Sequence, residues 1–316
     1  MPHIVTSQRS QGQSPASARP DTRSLIAFAL TTLFAGGNAV AIRLGYAELA
    51  PFWGAALRFL AAGLILLVLA AFLRLAWPRG RALAGVAIYG GLNFGLAYMF
   101  GYWALQEVGA GTAMVILAIT PLLTLILAVL RGSERFHIKG LIGALLAAIG
   151  IGAIFGISVT PAPTSALVAL LGGALCIAEG AVVVKTFPRV HPVIENALGM
   201  VLGGGFLLAL SFGFGEPWAI PVQPATQISL LYLIFLGSIG LFVLYLFLLG
   251  RWAASSASYA MLLAPVVTIA LGLVILDEAV RPELLVGGAL VLLGVYLGAF
   301  SALPAGGEGS SNHRGG

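Results

Sequence analysis

Glu179 lies inside an apolar run, LLGGALCIAEGAVVVKTFP (170–188), that Lys185 closes. A carboxyl group in such a setting can hold a substrate ammonium, carry a proton, or sit neutral and hydrogen-bonded as a packing lock. Asn38, Arg58 and Asn93 raise the same question in three other apolar runs. Proteolytic chemistry within those runs is excluded. All four histidines (His3, His137, His191, His313) and both aspartates (Asp21, Asp277) fall in tails or connectors, so no buried nucleophile–histidine pair or aspartate dyad can form. No phosphate-binding loop is present either, nor any ring of charge suited to an ion filter. The expected catalytic residues and metal ligands are therefore none.

Composition settles what surrounds these polar groups. Of 316 residues, 59% are hydrophobic and 9% charged, against about 25% charged in an average soluble domain. Runs of about twenty apolar residues recur, each able to cross a hydrocarbon core of about 30 Å as a helix. Ten spans are expected: 25–42, 52–73, 82–104, 110–130, 138–157, 165–184, 193–214, 228–250, 256–276 and 283–303. The fold class is an all-α integral membrane protein. Residues 1–24 and 304–316 are polar and rich in Ser, Gln, Pro or Gly, and are expected as disordered tails. The single cysteine, Cys176, excludes an internal disulfide.

The basic residues test the count of spans. With the N-terminus in the cytoplasm, thirteen Lys and Arg fall on inside segments and two, Arg43 and Arg281, on outside ones; Arg58 lies within the second span. Such a bias requires ten spans and places both termini in the cytoplasm of a bacterial-type inner membrane. The net charge of +5 is thus a matter of orientation, not of nucleic-acid binding. A cleaved signal peptide ending near the AVA of 39–41 would leave nine spans; the long polar lead and the internal symmetry favour retention.

That symmetry has a period of 144 residues. Ala113 lies over Ala257, Pro121 over Pro265, Thr124 over Thr268, Glu134 over Glu278, Gly143 over Gly287 and Gly150 over Gly294. Each copy, 25–157 and 165–303, holds five spans, an odd number, so the two must cross the membrane in opposite senses. Two inverted five-helix repeats about a midplane cavity form the frame of a secondary transporter.

The segment AASSASYAMLLAPVVTIALGLVILDEAVRPELLVGGALVLLGVYLG, its counterpart in the first copy, and PFWGAALRFLAAGLIL resemble the EamA-type, ten-helix branch of the drug/metabolite transporter superfamily. The resemblance runs from Leu25 to about Phe300. It implies a ten-helix inverted-repeat transporter that moves amino acids or other metabolites outward by alternating access, with a small-molecule substrate and the lipid bilayer as partners and no cofactor. The aromatic residues favour a YddG-like branch that exports aromatic and other neutral amino acids. Export of other amphipathic metabolites or drugs is the alternative within transport, and a non-transporting membrane scaffold the alternative outside it.

The candidate substrate-binding set is Asn38, Asn93, Tyr98, Met114, Glu179, Tyr245 and Tyr259. Asn38 lies five residues before Arg43, and Glu179 six before Lys185; at 1.5 Å per residue both sit about 8 Å inside opposite faces, as approximate symmetry mates. In AIYGGLNFGLAYMFGYWAL, Tyr89, Asn93 and Phe100 share one helical face and Tyr98 and Tyr102 form a second ridge. Arg58, about 10 Å inside the outer face, is expected to meet Asn38 or to snorkel outward. Leu202 stands 144 residues beyond it. Pro121 and Pro265 are expected to shape their helices, and the glycines of the last helix of each repeat to serve close packing.

Overall fold

A computed structural model describes residues 21–105, 107–108, 110–155, 163–275 and 282–300. Most of the expected tails, residues 276–281 with Glu278, and Gly156 lie outside these. The described chain forms ten helical segments. α1 is Thr22–Gly45, α2 Pro51–Phe72, α3 Arg81–Leu105, α4 the pair Ala110–Leu117 and Thr120–Leu130, and α5 Ile138–Phe155. α6 is Thr164–Thr186, α7 Pro192–Gly213, α8 Pro224–Arg251, α9 the pair Ala254–Leu262 and Ala264–Ile275, and α10 Pro282–Val295 continued by a π-helical turn, Tyr296–Phe300. Seven of them are long and apolar enough to cross a membrane, and shorter apolar helices complete the bundle. α1 begins at Thr22, three residues before the expected span.

Local chemistry sets the boundaries. α2, α7, α8 and α10 each open on a proline, which has no N–H to leave unsatisfied in the first turn. Gly132 and Gly215 turn the chain after α4 and α7 with φ of 67° and 66°, a conformation that costs a side-chain-bearing residue about 1 kcal/mol or more. Acidic side chains from other elements cap exposed amides. Glu216 accepts from Phe52 N (3.1 Å) and Trp53 N (2.8 Å), and Glu48 accepts from Val222 N (3.1 Å) and Gln223 N (3.0 Å). Burial alone would raise the Glu48 pKa, but the two backbone donors outweigh it and hold the carboxyl below its ordinary range.

The outer surface is apolar. Phe72 is 84% exposed and Leu130 76%, with Val68, Ile149, Val168 and Leu285 also open. Water would penalise each of these side chains; a hydrocarbon solvent does not.

The end of the bundle that carries Arg131, Lys185 and Arg251 is called the basic end, and the other the sparse end. Contacts across the bundle agree with the alternation of the spans. At the basic end Arg251 Nη1 meets Asp21 Oδ2 at 2.9 Å. At the sparse end Tyr46 and Tyr102 approach edge-on at 6.3 Å and Trp53 stacks on Trp218 at 5.4 Å.

The two repeats are related by a pseudo-two-fold axis. A Cβ built on Gly143 would meet the Gly294 carbonyl at 2.6 Å, and one built on Gly150 would meet the Gly287 carbonyl at 2.6 Å. Since Gly287 and Gly294 are the mates of Gly143 and Gly150, the contacts exchange under the symmetry, and only glycine permits α5 and α10 to lie so close. Between α2 and α7, Leu60 and Gly204, themselves 144 residues apart, face one another, with 3.1 Å from a Cβ built on Gly204 to Leu60 Cγ. Mates that touch stand beside the axis.

Candidate functional site

The third helix of each repeat has a glycine-rich centre, and each widens there into a π-helical turn: Gly91–Leu96 in α3 and Phe235–Gly240 in α8. The two turns are offset by the 144-residue period. π-helical turns inside α-helices are uncommon and gather at functional positions. In α8 the turn releases the Gly237 carbonyl, which accepts from Asn38 Nδ2 of α1 at 3.1 Å. In α3 it carries Asn93, whose amide nitrogen lies against Gly180 of α6. Each junction joins the first helix of one repeat to the third helix of the other. Neither asparagine is fully used: Asn38 Oδ1 and Asn93 Nδ2 are buried and meet no hydrogen-bond partner among the described residues.

Pro121 and Pro265 stand at the start of the second piece of α4 and of α9, just after the interruption in each. Pro121 offers no N–H to the Leu117 carbonyl four residues before it, and the Thr120 hydroxyl takes that carbonyl at 2.6 Å. In α9 the Ala260 carbonyl accepts from the Thr32 hydroxyl of α1 at 3.1 Å. Side-chain hydroxyls thus satisfy backbone groups at both breaks, as a lipid-embedded chain requires.

Arg58 neither contacts Asn38 nor reaches the interface. It is 1% exposed, and its Nη2 donates to Tyr98 Oη at 2.8 Å. Its guanidinium lies 4.3 Å from the Phe59 ring centre and 5.2 Å from that of Tyr98. The expectation failed because Tyr98, forty positions along, comes alongside only when α3 packs beside α2. Behind this pair Phe59, Phe94 and Phe242 make an aromatic wall, with ring centres 5.1 Å (59–94) and 4.7 Å (94–242) apart. Toward the sparse end Tyr98 abuts Tyr102 at 5.9 Å, and Tyr102 abuts the exposed Tyr46.

The remaining candidates divide. Tyr245 is buried with its hydroxyl unpartnered among the described residues. Tyr259 is buried, but its hydroxyl donates to the Gly140 carbonyl of α5 at 2.9 Å. Met114 is half-buried against the main core. Glu179 lies apart from them near the basic end, paired with Arg131 of α4; the two side chains are 20% and 41% exposed. Its companion is a cation from the same protein, which neither reading of the lone residue had supplied.

Among the buried polar residues that escaped the sequence reading, one carries a carboxyl and one an amide. Glu195, 7% exposed, and Asn196, fully buried, lie in the first turns of α7. Tyr89 Oη donates to Asn196 Oδ1 at 3.2 Å, and Asn196 Nδ2 has no partner among the described residues. The adjacent pair Glu–Asn within a helix otherwise apolar was the available signal, masked by its position near a helix start where polar letters are ordinary.

The EamA-like transporter family model matches residues 22–156 and again 164–300. The chain belongs to the EamA-like transporter family. It is accordingly a multi-pass membrane transporter with ten helices in two inverted repeats, and not an enzyme. Among EamA relatives, a Salmonella typhimurium protein described as "Probable amino-acid metabolite efflux pump" is 29% identical over 284 residues, covering 84% of this chain and 91% of its own. A Streptantibioticus cattleyicolor protein described as "Probable terminal-alkyne amino-acid exporter" is 31% identical over 225 residues, covering 70% and 74%. An Archaeoglobus fulgidus "Uncharacterized transporter" is 27% identical over 297 residues, covering 86% and 97%. A solved crystal structure superposes with a TM-score of 0.76 at 22% identity over 90% of this EamA chain and 98% of that one, a likeness of fold.

Proposed function

We propose that this EamA transporter exports amino acids, aromatic and other neutral ones favoured, across a bacterial inner membrane by alternating access, with both termini in the cytoplasm. The observation that carries the reading is a pair of asparagines with unpaired amide atoms. Asn38 Oδ1 and Asn93 Nδ2 are buried with no partner among the described residues at the junctions between repeats, and Asn93 precedes Phe94 of the aromatic wall. That combination suits a solute with one polar and one bulky apolar part. The relatives named as amino-acid efflux pumps and exporters point to the same class of solute.

The repeats, 25–157 and 165–303, each supply one helix of a central pair, α4 and α9, whose parting at one end at a time is the motion this reading requires. α4 and α9 pack together through the halves nearest the basic end, whereas the sparse-end half of α4 packs on α5 and α6 and that of α9 on α1. The contact of α4 with α9 at the basic end supports a state shut toward the cytoplasm, while at the sparse end Glu48 and Glu216 still join the repeats. The test is efflux from proteoliposomes loaded with labelled L-phenylalanine, L-leucine or a carboxylate-free amphipathic amine. Saturable efflux of the amino acids above protein-free vesicles is expected. Transport of the amine alone would replace this reading with export of other amphipathic metabolites, and no transport of any solute would leave a scaffold.

A further inference from the structure

Arg58 is a buried cation with no counter-ion among the described residues. Its Nε and Nη1 are buried and meet no acceptor among the described residues, and neither ion pair among those residues includes it. Withdrawing a guanidinium from water costs far more than two ring contacts and one bond to a neutral phenol return. The position 144 residues on holds Leu202, which is 48% exposed, so neither the side chain nor its burial is repeated in the second copy. The guanidinium therefore breaks the symmetry of the repeats. An amino acid has two unlike ends, and a site that reads its direction must be asymmetric.

We propose that Arg58, reached past Tyr98, binds the carboxylate of the exported amino acid, an assignment that rests on the amino-acid reading above. The guanidinium offers planar N–H donors of the geometry a carboxylate takes. The rings of Phe59, Phe94 and Phe242 lie within the same cluster and supply an apolar wall for the substrate side chain. Half-buried Tyr98, buried Tyr102 and exposed Tyr46 form a continuous run of ring contacts from Arg58 to the surface at the sparse end. Tyr46 also lines a shallow surface cleft with Glu48, Leu49, Pro51 and Pro217. Tyr98 Oη accepts from the guanidinium, and in this proposal it swings aside as the carboxylate takes its place.

The experiment uses the full chain in proteoliposomes and measures competition with labelled L-phenylalanine by two probes. 3-Phenylpropionate keeps the carboxylate and lacks the amine; L-phenylalaninamide keeps the amine and lacks the carboxylate. With wild type, 3-phenylpropionate is expected to compete and the amide to be weaker than L-phenylalanine by about tenfold or more, the scale of a charge-assisted pair. Arg58→Gln is expected to raise the KM for L-phenylalanine about tenfold and to erase its advantage over the amide. Arg58→Lys, which keeps charge but not the planar fork, is expected to fall between and to retain the advantage. If Arg58→Gln does not reach the vesicle folded, the Lys variant decides: a KM equal to that of wild type overturns the assignment. Unchanged KM in Arg58→Gln, or parallel losses for L-phenylalanine and its amide, overturns it as well. A wild type that moves no amino acid sinks the substrate reading and this assignment with it, whereas a moving wild type with indifferent Arg58 variants sinks only the assignment.

Discussion

Asn93 and Gly237 hold the same place in two copies of one helix, 144 residues apart, each the third residue of a π-helical turn. The two positions are filled in opposite ways. At Gly237 the turn gives its backbone carbonyl to Asn38 of the first helix of the other repeat; at Asn93 the turn gives the side chain, and Gly180 of the other repeat's first helix makes room. Donor and recess have changed sides while the junction has been kept.

The Asn93 junction can be tested by a double-mutant cycle. A Cβ on Gly180 would collide with the Asn93 amide, so Gly180→Ala is expected to destabilise the protein by about 1–3 kcal/mol, the usual cost of overpacking. In an Asn93→Ala background the same change should be nearly neutral, because the obstructing atoms are gone. Thermal unfolding in detergent gives both numbers, and equal losses in the two backgrounds would remove Asn93 from the contact.

Glu179 now has a partner, and its expected contribution is small. Both side chains of the Glu179–Arg131 pair are partly exposed, a setting in which ion pairs contribute about 0–1 kcal/mol. Glu179→Gln should lower stability by no more than that, and the loss should vanish when Arg131→Gln is already present. A drop of several kcal/mol in unfolding experiments would mean that the carboxylate holds something besides Arg131.

Orientation is open to chemical labelling in a Cys176→Ala background. Gln223 lies just before α8 at the sparse end, and Gly132 in the turn after α4 at the basic end. A cysteine at 223 is expected to react with an impermeant thiol reagent added to intact cells, and one at 132 only after the membrane is opened. Equal labelling in intact cells would refute an inside location for the basic end.

The pH dependence of stability has one clear source at the sparse end. Glu48 accepts two backbone N–H groups and its folded pKa is depressed. A depressed carboxylate stabilises above its unfolded pKa and ceases to do so as pH falls through the folded value. Wild type should therefore unfold at a higher temperature than Glu48→Gln near neutrality, and the gap should close in acid. A gap that persists undiminished at low pH would assign the stabilisation to something other than the carboxylate charge.

How much of this was legible beforehand follows from the range of each signal. Length and hydropathy expose a membrane span locally, and the match of Pro121 with Pro265 and of Gly143 with Gly287 exposes the inverted repeat, because repeats are written in order along the chain. Pairings between helices are not. Arg58 with Tyr98 and Glu179 with Arg131 depend on which helices become neighbours and how each is rotated, and no periodicity within one helix encodes that. The π-helical turns were hidden for a related reason: GLNFGL and FLGSIG are each glycine-rich but share a single matched letter, the leucine at their second position, and each turn meets another helix that the local sequence does not name.

Glu134 offers a direct test of the alternating access proposed above. It follows α4 and reaches across the basic end to α9, where Oε1 accepts from Ser255 N at 3.2 Å and Oε2 from Ser255 Oγ at 2.5 Å. Ser255 lies in the first turn of α9, so the carboxylate caps an otherwise unpaired amide and meets the positive end of the helix dipole. Because α4 and α9 belong to different repeats, the proposed cycle would break this bond when the basic end opens. Losing a helix cap costs about 0.5–2 kcal/mol, and within a two-state cycle that difference shifts the balance of closed to open about two- to thirtyfold. Glu134→Ala is therefore expected to favour opening at the basic end. The measurement is the thiol reactivity of Ala257→Cys, a position fully buried in α9 near this contact, in inside-out vesicles with Cys176 replaced. Reactivity should rise in the Glu134→Ala background and return with Glu134→Asp if the shorter carboxylate still reaches. If Glu134→Ala lowers the unfolding temperature without changing labelling at 257, Glu134 is a helix cap and not a latch.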